Sequence, residues 1–262
     1  MKRILYFAMS LVLASGCNAQ AVRGLADVSI IDRDSGAVLN THYYHGEYWV
    51  AGRPGARYAI EIHNRLGERL LAVTSVDGVN VVSGATAGWD QGGYVFGAGD
   101  RYQISGWRKS DTEVAAFLFT DLANSYAART GRPANVGVIG VAIFRERRTP
   151  TIDQPAVGGQ TYDRSDAARA VESPPIAPES ALAAPAPRAK LGTGHGEREY
   201  SYVDHTEFLR MQPQPNQVIR IHYDSFDNLL AMGIVARPRP MPSVPDPFPG
   251  SRDQRYVPDP AG

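Results

Sequence analysis

The distribution of proline constrains the fold of this chain more than any other feature. Proline lacks the backbone N–H that helices and strand ladders need, so a stretch dense in proline adds little to a packed core. Seven of the nineteen prolines fall in residues 150–187 and eight in residues 238–260. We therefore predict a disordered linker over residues 149–190, with an Ala/Pro composition typical of extended polyproline chain, and a Pro-rich tail over residues 236–262.

Residues 22–148 form the longest stretch with a periodic apolar pattern, and the period is two. Tyr58, Ile60 and Ile62 alternate with polar or small residues, which is typical of a strand with one buried face. A polar turn and a second apolar run at residues 70–76 follow, and this order predicts a hairpin. Asp77-Gly78 predicts another hairpin, because this pair readily adopts the positive φ of a type I′ turn.

Roughly eight short strands separated by Gly-rich turns can be assigned in this way, together with one helical turn at residues 122–129. This pattern is typical of an antiparallel β-sandwich or jelly roll, and about 127 residues suffice for one core. The strand candidates are residues 28–32, 58–62, 70–76, 79–82, 94–96, 102–107, 114–119 and 136–144.

Residues 191–235 look like a separate, smaller module. Gly192, Gly194 and Gly196 indicate a flexible joint, and the apolar runs at residues 217–223 and 229–235 predict a β-hairpin. Two strands alone are marginally stable in water, so the hairpin must dock, either on the first domain or on another protein by strand addition. The predicted fold class is all-β: a jelly-roll-like antiparallel β-sandwich with a linker and a small C-terminal hairpin module.

Residues 1–21 have the layout of a secretory signal peptide. Lys2 and Arg3 precede an apolar run at residues 4–14, which is much shorter than the roughly twenty residues that a membrane-spanning helix needs. Small residues then lead to Cys17. Because Cys17 is the only cysteine, the chain forms no internal disulfide, and its stability must come from a hydrophobic core.

The small-residue run that ends at Cys17 resembles the lipobox of bacterial lipoproteins. The resemblance implies that Cys17 is acylated and becomes the mature N-terminus. Since Asn18, and not an aspartate, follows the cysteine, it also implies an outer-membrane location. The alternative is cleavage after Ala19-Gln20-Ala21, an A-x-A site whose use would release a soluble periplasmic protein without Cys17.

Four short blocks in the sandwich region resemble a family of uncharacterised proteobacterial envelope proteins. The resemblance implies a β-sandwich in the cell envelope and brings no activity with it. The blocks are LAVTSVDGVNV at residues 71–81, GYV at 93–95, GWR at 106–108 and VAAF at 114–117.

Three potential metal ligands, His42, His45 and Glu47, lie within six residues, and His63 is a conceivable fourth. On a strand, positions 42 and 45 face opposite sides, so a turn would be needed to bring them together. We therefore predict solvated or hydrogen-bonded histidines and no metal site.

Two neighbouring pairs have the side chains of general acid/base chemistry: His195 with Glu197, and His222 with Asp224. Exposed positions on a loop or strand face explain them equally well, and no serine lies in a nucleophile elbow. We therefore expect no enzymatic activity and no cofactor.

Clustered aromatic residues favour a binding function. Aromatic rings and cations bind glycan or protein surfaces, although aromatic residues also fill sandwich cores. Trp89, Arg108 and Lys109 add flat and cationic groups to the set. The candidate binding residues are Tyr43, Tyr44, Tyr48, Trp49 and Trp107.

Net charge argues against a nucleic-acid partner. Without Lys2 and Arg3 the chain carries 27 − 2 = 25 basic and 27 acidic residues, a balance that does not attract phosphate backbones. The sequence therefore predicts a non-catalytic, lipid-anchored envelope protein that acts as a binding or structural module for an envelope protein or glycan. The alternative is a soluble periplasmic protein with an unidentified activity, such as metal-dependent hydrolysis.

Overall fold

The computed structural model describes residues 21–147 and 189–236. The predicted signal with Cys17, almost all of the predicted linker and nearly the whole Pro-rich tail lie outside the described residues.

The described chain contains strands and a few short helices. The strands are β1 (Ala26–Asp32), β2 (Thr41–Tyr44), β3 (Glu47–Gly52), β4 (Arg57–Asn64), β5 (Leu70–Val76), β6 (Val79–Asn80), β7 (Tyr94–Phe96), β8 (Arg101–Ile104), β9 (Gly106–Arg108), β10 (Glu113–Asp121), β11 (Val138–Arg145), β12 (Leu191–Tyr200) and β13 (Gln217–Ser225).

The helices are short and lie at strand ends. They are α1 (Tyr126–Arg129), α2 (Phe226–Ala231) and two 3₁₀ turns, Leu122–Asn124 and Pro133–Asn135. The helical turn predicted at residues 122–129 is therefore confirmed. Within the described ranges, no helix has the length and apolar character needed to span a membrane.

Two sheets face each other, and the predicted all-β sandwich is confirmed. Sheet I runs in the order β1-β4-β10-β12, with β8 beside β4 and β9 beside β10. Sheet II runs β2-β3-β13-β11-β5-β6, with β7 beside β5. All strand pairs are antiparallel except β3 with β13, which run parallel.

The core fills the space between the sheets, as the period-two pattern predicted. Tyr58, Ile60 and Ile62 of β4 point inward and are fully buried. The Tyr58 ring stacks on Phe119 and Phe117 of β10, with centroids 4.2 and 5.2 Å apart. Burial of each such side chain contributes about 1.5–3 kcal/mol, so this aromatic stack holds β4 and β10 together from the inside.

The Asp77-Gly78 turn is confirmed as the link of the β5–β6 hairpin. Asp77 has φ 53° and Gly78 has φ 73°, as a type I′ turn requires. The other predicted hairpin, residues 58–62 with 70–76, is wrong, because β4 belongs to sheet I and β5 to sheet II. Buried Asn64 holds this crossing by donating to the carbonyls of Gly97 (2.6 Å) and Glu68 (2.8 Å).

The predicted C-terminal hairpin is also wrong. Residues 217–223 do form a strand, but residues 226–231 form α2 instead of a second strand. Ser225 is the N-cap of this helix, and its side chain accepts from the backbone N–H of Asn228 at 3.2 Å. The predicted glycine joint at Gly192, Gly194 and Gly196 is part of β12, a ten-residue strand paired with β10.

The sandwich is consequently not confined to residues 22–148. β13 lies in the interior of sheet II, between β3 and β11, and β12 extends sheet I beyond β10. Docking within the chain, one of the two alternatives, is thus what the structure shows. Ile219, Ile221 and Tyr223 of β13 are core residues. The segment predicted as a module supplies one strand to each sheet.

Candidate functional site

The predicted aromatic cluster lies on the β2–β3 hairpin, whose turn is formed by His45 (φ 48°) and Gly46 (φ 85°). The register pairs Tyr43 with Tyr48, and the centroids of these rings are 5.0 Å apart. Tyr48 packs against the core, while Tyr43 is exposed. Tyr44 and Trp49 lie on the opposite side of the hairpin, on the face of sheet II that points away from sheet I, which we call the outer face. The cluster is therefore divided between two faces.

Trp107 does not belong to a binding surface, and its assignment as a binding residue is corrected. Its side chain is 2% exposed, packs edge-on against Phe117 and donates to the Gly194 carbonyl at 3.4 Å. The alternative interpretation of aromatic residues, that they fill the core, applies to this residue.

Trp49 forms a flat, polar-edged platform on the outer face. Its indole stacks on the His222 ring with centroids 4.7 Å apart, and His222 Nε2 lies 3.6 Å from a Glu47 carboxylate oxygen. Strand register places His42 opposite Trp49. His222 therefore pairs with Glu47 and not with Asp224, whose buried carboxylate accepts from the backbone N–H of Leu191.

The potential metal ligands are dispersed. His45 lies in the hairpin turn, and His63 lies on sheet I, 3.7 Å from an Asp27 carboxylate oxygen. Within the described ranges, no group of three or more His, Cys, Asp or Glu side chains is arranged to hold a metal ion.

His195 and Glu197, the predicted acid/base pair on β12, do not form a catalytic arrangement. The His195 ring lies 5.9 Å from that of Tyr126. Partial burial, together with the nearby Lys109 ammonium, lowers the pKa of His195, so the neutral imidazole is favoured. No bond between His195 and Glu197 is present in the described part of the chain.

A cleft of about 280 Å³ opens on the outer face, and we call it the Trp89 cleft. Its floor is made by β5, β11 and β13, and its wall is Trp89, which is 56% exposed. Gly140 lies at the centre of the floor, where register pairs it with Ser75 on one side and Arg220 on the other. Its lining includes Val73, Ser75, Trp89, Gly140, Val218 and Arg220.

The floor of the cleft is open at its centre because Gly140 has no side chain. A Cβ atom at this position would lie 2.7 Å from Ser75 Oγ, closer than ordinary van der Waals contact. Next to it, Val218 is 42% exposed, an unusual position for a valine in an interior strand. The cleft therefore combines an open floor with exposed apolar and aromatic walls.

Another part of the outer face, over β5 and β11, is covered by residues 201–216, the connection between β12 and β13, which we call the strap. Phe208 packs on a small apolar cluster made by Leu71, Val73, Ala142 and Phe144. Arg210 lies 4.3 Å above the Phe144 ring and donates to the Gln91 carbonyl at 2.6 Å. The strap ends where the Trp89 cleft begins, so Val73 and Ala142 contribute to both.

A second cleft, of about 500 Å³, lies under the other end of the strap. Arg108 is its central cation, and all three of its nitrogens donate to protein atoms, among them the Tyr94 hydroxyl (3.0 Å) and the Ser201 carbonyl. His205 at its mouth is paired with Asp111 at 2.9 Å. Arg108 and His205 are therefore already engaged with protein groups. The rings of Tyr94 and Tyr102 are the main surfaces that a ligand could contact in this cleft.

Comparison with protein-family models, with curated proteins and with solved structures gives no match.

Sequence reasoning identified Trp49, Tyr44 and Trp89 as candidates but missed Arg220 and Gly140. These two residues are separated by eighty positions and meet only because β13 pairs with β11. The one sequence signal was the alternation of Ile219 and Ile221 with Arg220, which indicates that Arg220 points away from the core.

Proposed function

We propose that this protein is a non-catalytic binding module of the bacterial cell envelope, held at the outer membrane through Cys17, and that it binds an envelope glycan with the outer face of sheet II. The observation that carries the proposal is the Trp89 cleft. A tryptophan that is 56% exposed beside an open, glycine-floored cleft has the geometry of a stacking surface and not of a core residue.

Sugar recognition fits this surface better than a small apolar ligand does. The C–H face of a sugar ring packs on an indole, while the ring hydroxyls need hydrogen-bonding groups at its edge. Ser75 and Asn135 line the same cleft and supply a hydroxyl and an amide. The Trp49–His222 platform begins two residues further along β13, so a chain of several sugars would meet aromatic surface at two points.

The test is binding of the full-length protein to polysaccharides isolated from the envelope of the producing bacterium, measured by affinity electrophoresis and calorimetry. We expect Trp89→Ala to weaken binding by about tenfold or more, because a centrally placed tryptophan carries a large share of the binding energy. Trp49→Ala should weaken binding to long chains more than to short ones.

The matched control is Tyr200→Ala, which removes an aromatic side chain that is 80% exposed on β12 of sheet I. It should bind as the wild type does. A wild-type protein that binds none of these polysaccharides, or a Trp89→Ala variant that binds all of them unchanged, would refute the proposal.

A further inference from the structure

We infer that the glycan is anionic and that Arg220 binds its acid group while Trp89 stacks on the sugar ring. This inference rests on the proposed function and goes beyond it, since it names the chemical class of the ligand and a residue that selects it.

Arg220 is the charged side chain of the Trp89 cleft. Among the described residues that line it, no other carries a formal charge. Arg220 is exposed, and within the described ranges its side chain has no hydrogen-bond or ion-pair partner. The other arginine on the outer face, Arg210, already donates to the Gln91 carbonyl at 2.6 Å. Arg220 therefore keeps its donors for a ligand.

The placement of Arg220 suits one acid group on a stacked ring. It lies directly across Gly140 from Ser75, so the two side chains flank the open floor from neighbouring strands. Strands in a sheet are about 4.8 Å apart, and two spacings are comparable to the width of one sugar ring. A ring lying on Gly140 under Trp89 would thus present one edge to the guanidinium and the other to a hydroxyl.

An arginine is the suitable side chain for this task. Its planar guanidinium binds a carboxylate or phosphate through two parallel N–H···O bonds, which gives both affinity and orientation. Desolvation by Val218 and the indole strengthens such a pair relative to one in open water.

Glu47 precedes Tyr48, the β3 residue that pairs with Ile221 next to Arg220, and it does not line the cleft. Its carboxylate is directed to His222 at 3.6 Å. The Trp89 cleft is therefore cationic. The neighbouring Trp49 platform instead contains a carboxylate, that of Glu47. This arrangement favours a ligand with spaced acid groups over a densely charged polymer such as nucleic acid.

The volume of about 280 Å³ also favours a sugar residue over a protein element. Small-ligand pockets range from about 300 to 1,000 Å³, so this cleft is at the lower limit and admits a ring rather than a helix or strand.

The experiment compares three probes with the full-length protein: polygalacturonate, its carboxyl-reduced neutral form, and a phosphomannan. We expect binding to polygalacturonate to exceed binding to the neutral form by about tenfold or more. The phosphomannan distinguishes a carboxylate from a phosphate as the preferred acid group.

Arg220→Gln should abolish the difference between the acidic and neutral polymers, and Arg220→Lys should retain part of it. Arg129→Gln, an exposed arginine in the last turn of α1, is the control and should behave as the wild type. Melting curves of the arginine variants should coincide with that of the wild type, since the Arg220 side chain makes no hydrogen bond or ion pair within the described residues.

The two proposals fail in different ways. If the wild type binds acidic and neutral polymers equally, or if Arg220→Gln keeps the preference, the assignment of Arg220 is wrong while glycan binding stands. If the wild type binds none of the three probes but binds the envelope polysaccharides, the assignment of an anionic ligand is overturned. If it binds neither the probes nor the envelope polysaccharides, or if Trp89→Ala leaves all binding unchanged, both proposals are overturned.

Discussion

The Tyr223 hydroxyl donates a 2.5 Å hydrogen bond to Asp77 Oδ1 and so joins two residues that are 146 positions apart. The same carboxylate accepts from the backbone N–H groups of Gly137 and Thr193, each at 2.9 Å. The Thr193 hydroxyl lies 2.6 Å from the hydroxyls of both Tyr58 and Tyr223. One buried turn residue thus connects the start of β11 with strands of both sheets.

Replacement of Asp77 by asparagine should destabilise the protein by about 1–3 kcal/mol. Asparagine tolerates the positive φ of Asp77, so the turn itself is preserved. The loss arises because an amide NH₂ replaces one of the acceptor oxygens and faces a donor. Urea denaturation measures the change, and Asp121→Asn, at an exposed site without a side-chain cap, should leave stability unchanged.

The Asp77 carboxyl should also make a contribution to the free energy of unfolding that is largest in acid. Burial raises the pKa of the Asp77 carboxyl above its ordinary 3.8, although hydrogen bonds from Tyr223, Thr193 and Gly137 oppose the shift. The folded state therefore binds this proton more tightly than the unfolded state. Stability from this group is greatest below pH 3.8 and is lost as the pH rises through the folded pKa.

The measurement is the difference in free energy of unfolding between wild type and Asp77→Asn across this pH range. The variant lacks the titrating carboxyl, so the subtraction isolates its contribution. The difference in favour of the wild type should shrink as the pH rises. A difference that grows with pH would show that the hydrogen bonds outweigh burial.

Residues 21–147 should not fold alone. Without β13, the edges of β3 and β11 inside sheet II lose their partner, and the core loses Ile219, Ile221 and Tyr223. Circular dichroism of this fragment should show no cooperative melting, whereas an equimolar mixture with a peptide of residues 189–236 should regain it. Cooperative melting of the first fragment by itself would mean that the C-terminal strands are accessory.

Gly93→Ala should destabilise the sandwich, whereas Gly67→Ala should be neutral. A Cβ atom at residue 93 would lie 2.3 Å from the Ala72 carbonyl oxygen, and because that atom is backbone, β5 itself would have to move. We expect a loss of about 1–3 kcal/mol. At residue 67 no heavy atom lies within 4 Å of the added carbon. Thermal denaturation of the two variants provides the comparison, and equal melting temperatures would contradict it.

Cys17→Ser should move the protein from the membrane fraction to the soluble periplasmic fraction and abolish incorporation of labelled fatty acid. This follows if the lipobox is used, because the thiol is the acylation site. If both readouts are unchanged and the mature chain starts at residue 22, the A-x-A site is used and the lipid anchor is refuted.

The period-two pattern predicted the strands well because burial of one face is a local property. It could not predict which strands pair. The runs on either side of the turn at Asn64 look like a hairpin in sequence, yet the side chain of Asn64 stabilises a crossing between sheets. In contrast, Asp77-Gly78 was predicted correctly because the turn geometry is encoded in the two residues themselves.

The C-terminal errors have identifiable physical causes. Gly192 and Gly196 were interpreted as a joint, but they permit close packing: a Cβ at residue 196 would lie 2.8 Å from the Ala116 carbonyl oxygen. The apolar run after Ser225 was interpreted as a strand, although Ser225 as N-cap and Gly233, with φ 73°, mark the two ends of a helix. Short apolar runs are ambiguous, and the capping signals were the better guide.

The sequence predicted some aromatic residues of the candidate site but not the residues that strand pairing brings beside them. Trp89 was a candidate only because of its flat aromatic side chain, whereas burial of Trp107 and the position of Arg220 opposite Gly140 depend on long-range pairing. Residues that form a site through sheet register leave little trace in a single sequence.

The position of β13 between β3 and β11 affects how the chain reaches its native state. Synthesis proceeds from the N-terminus, and more than seventy residues separate β11 from the strand that completes its sheet. The interior of sheet II therefore cannot close until the C-terminal part of the chain has emerged. Such high contact order slows folding and leaves apolar strand edges open in the meantime. Premature aggregation of the nascent chain, more than instability of the finished sandwich, is the hazard that this topology creates.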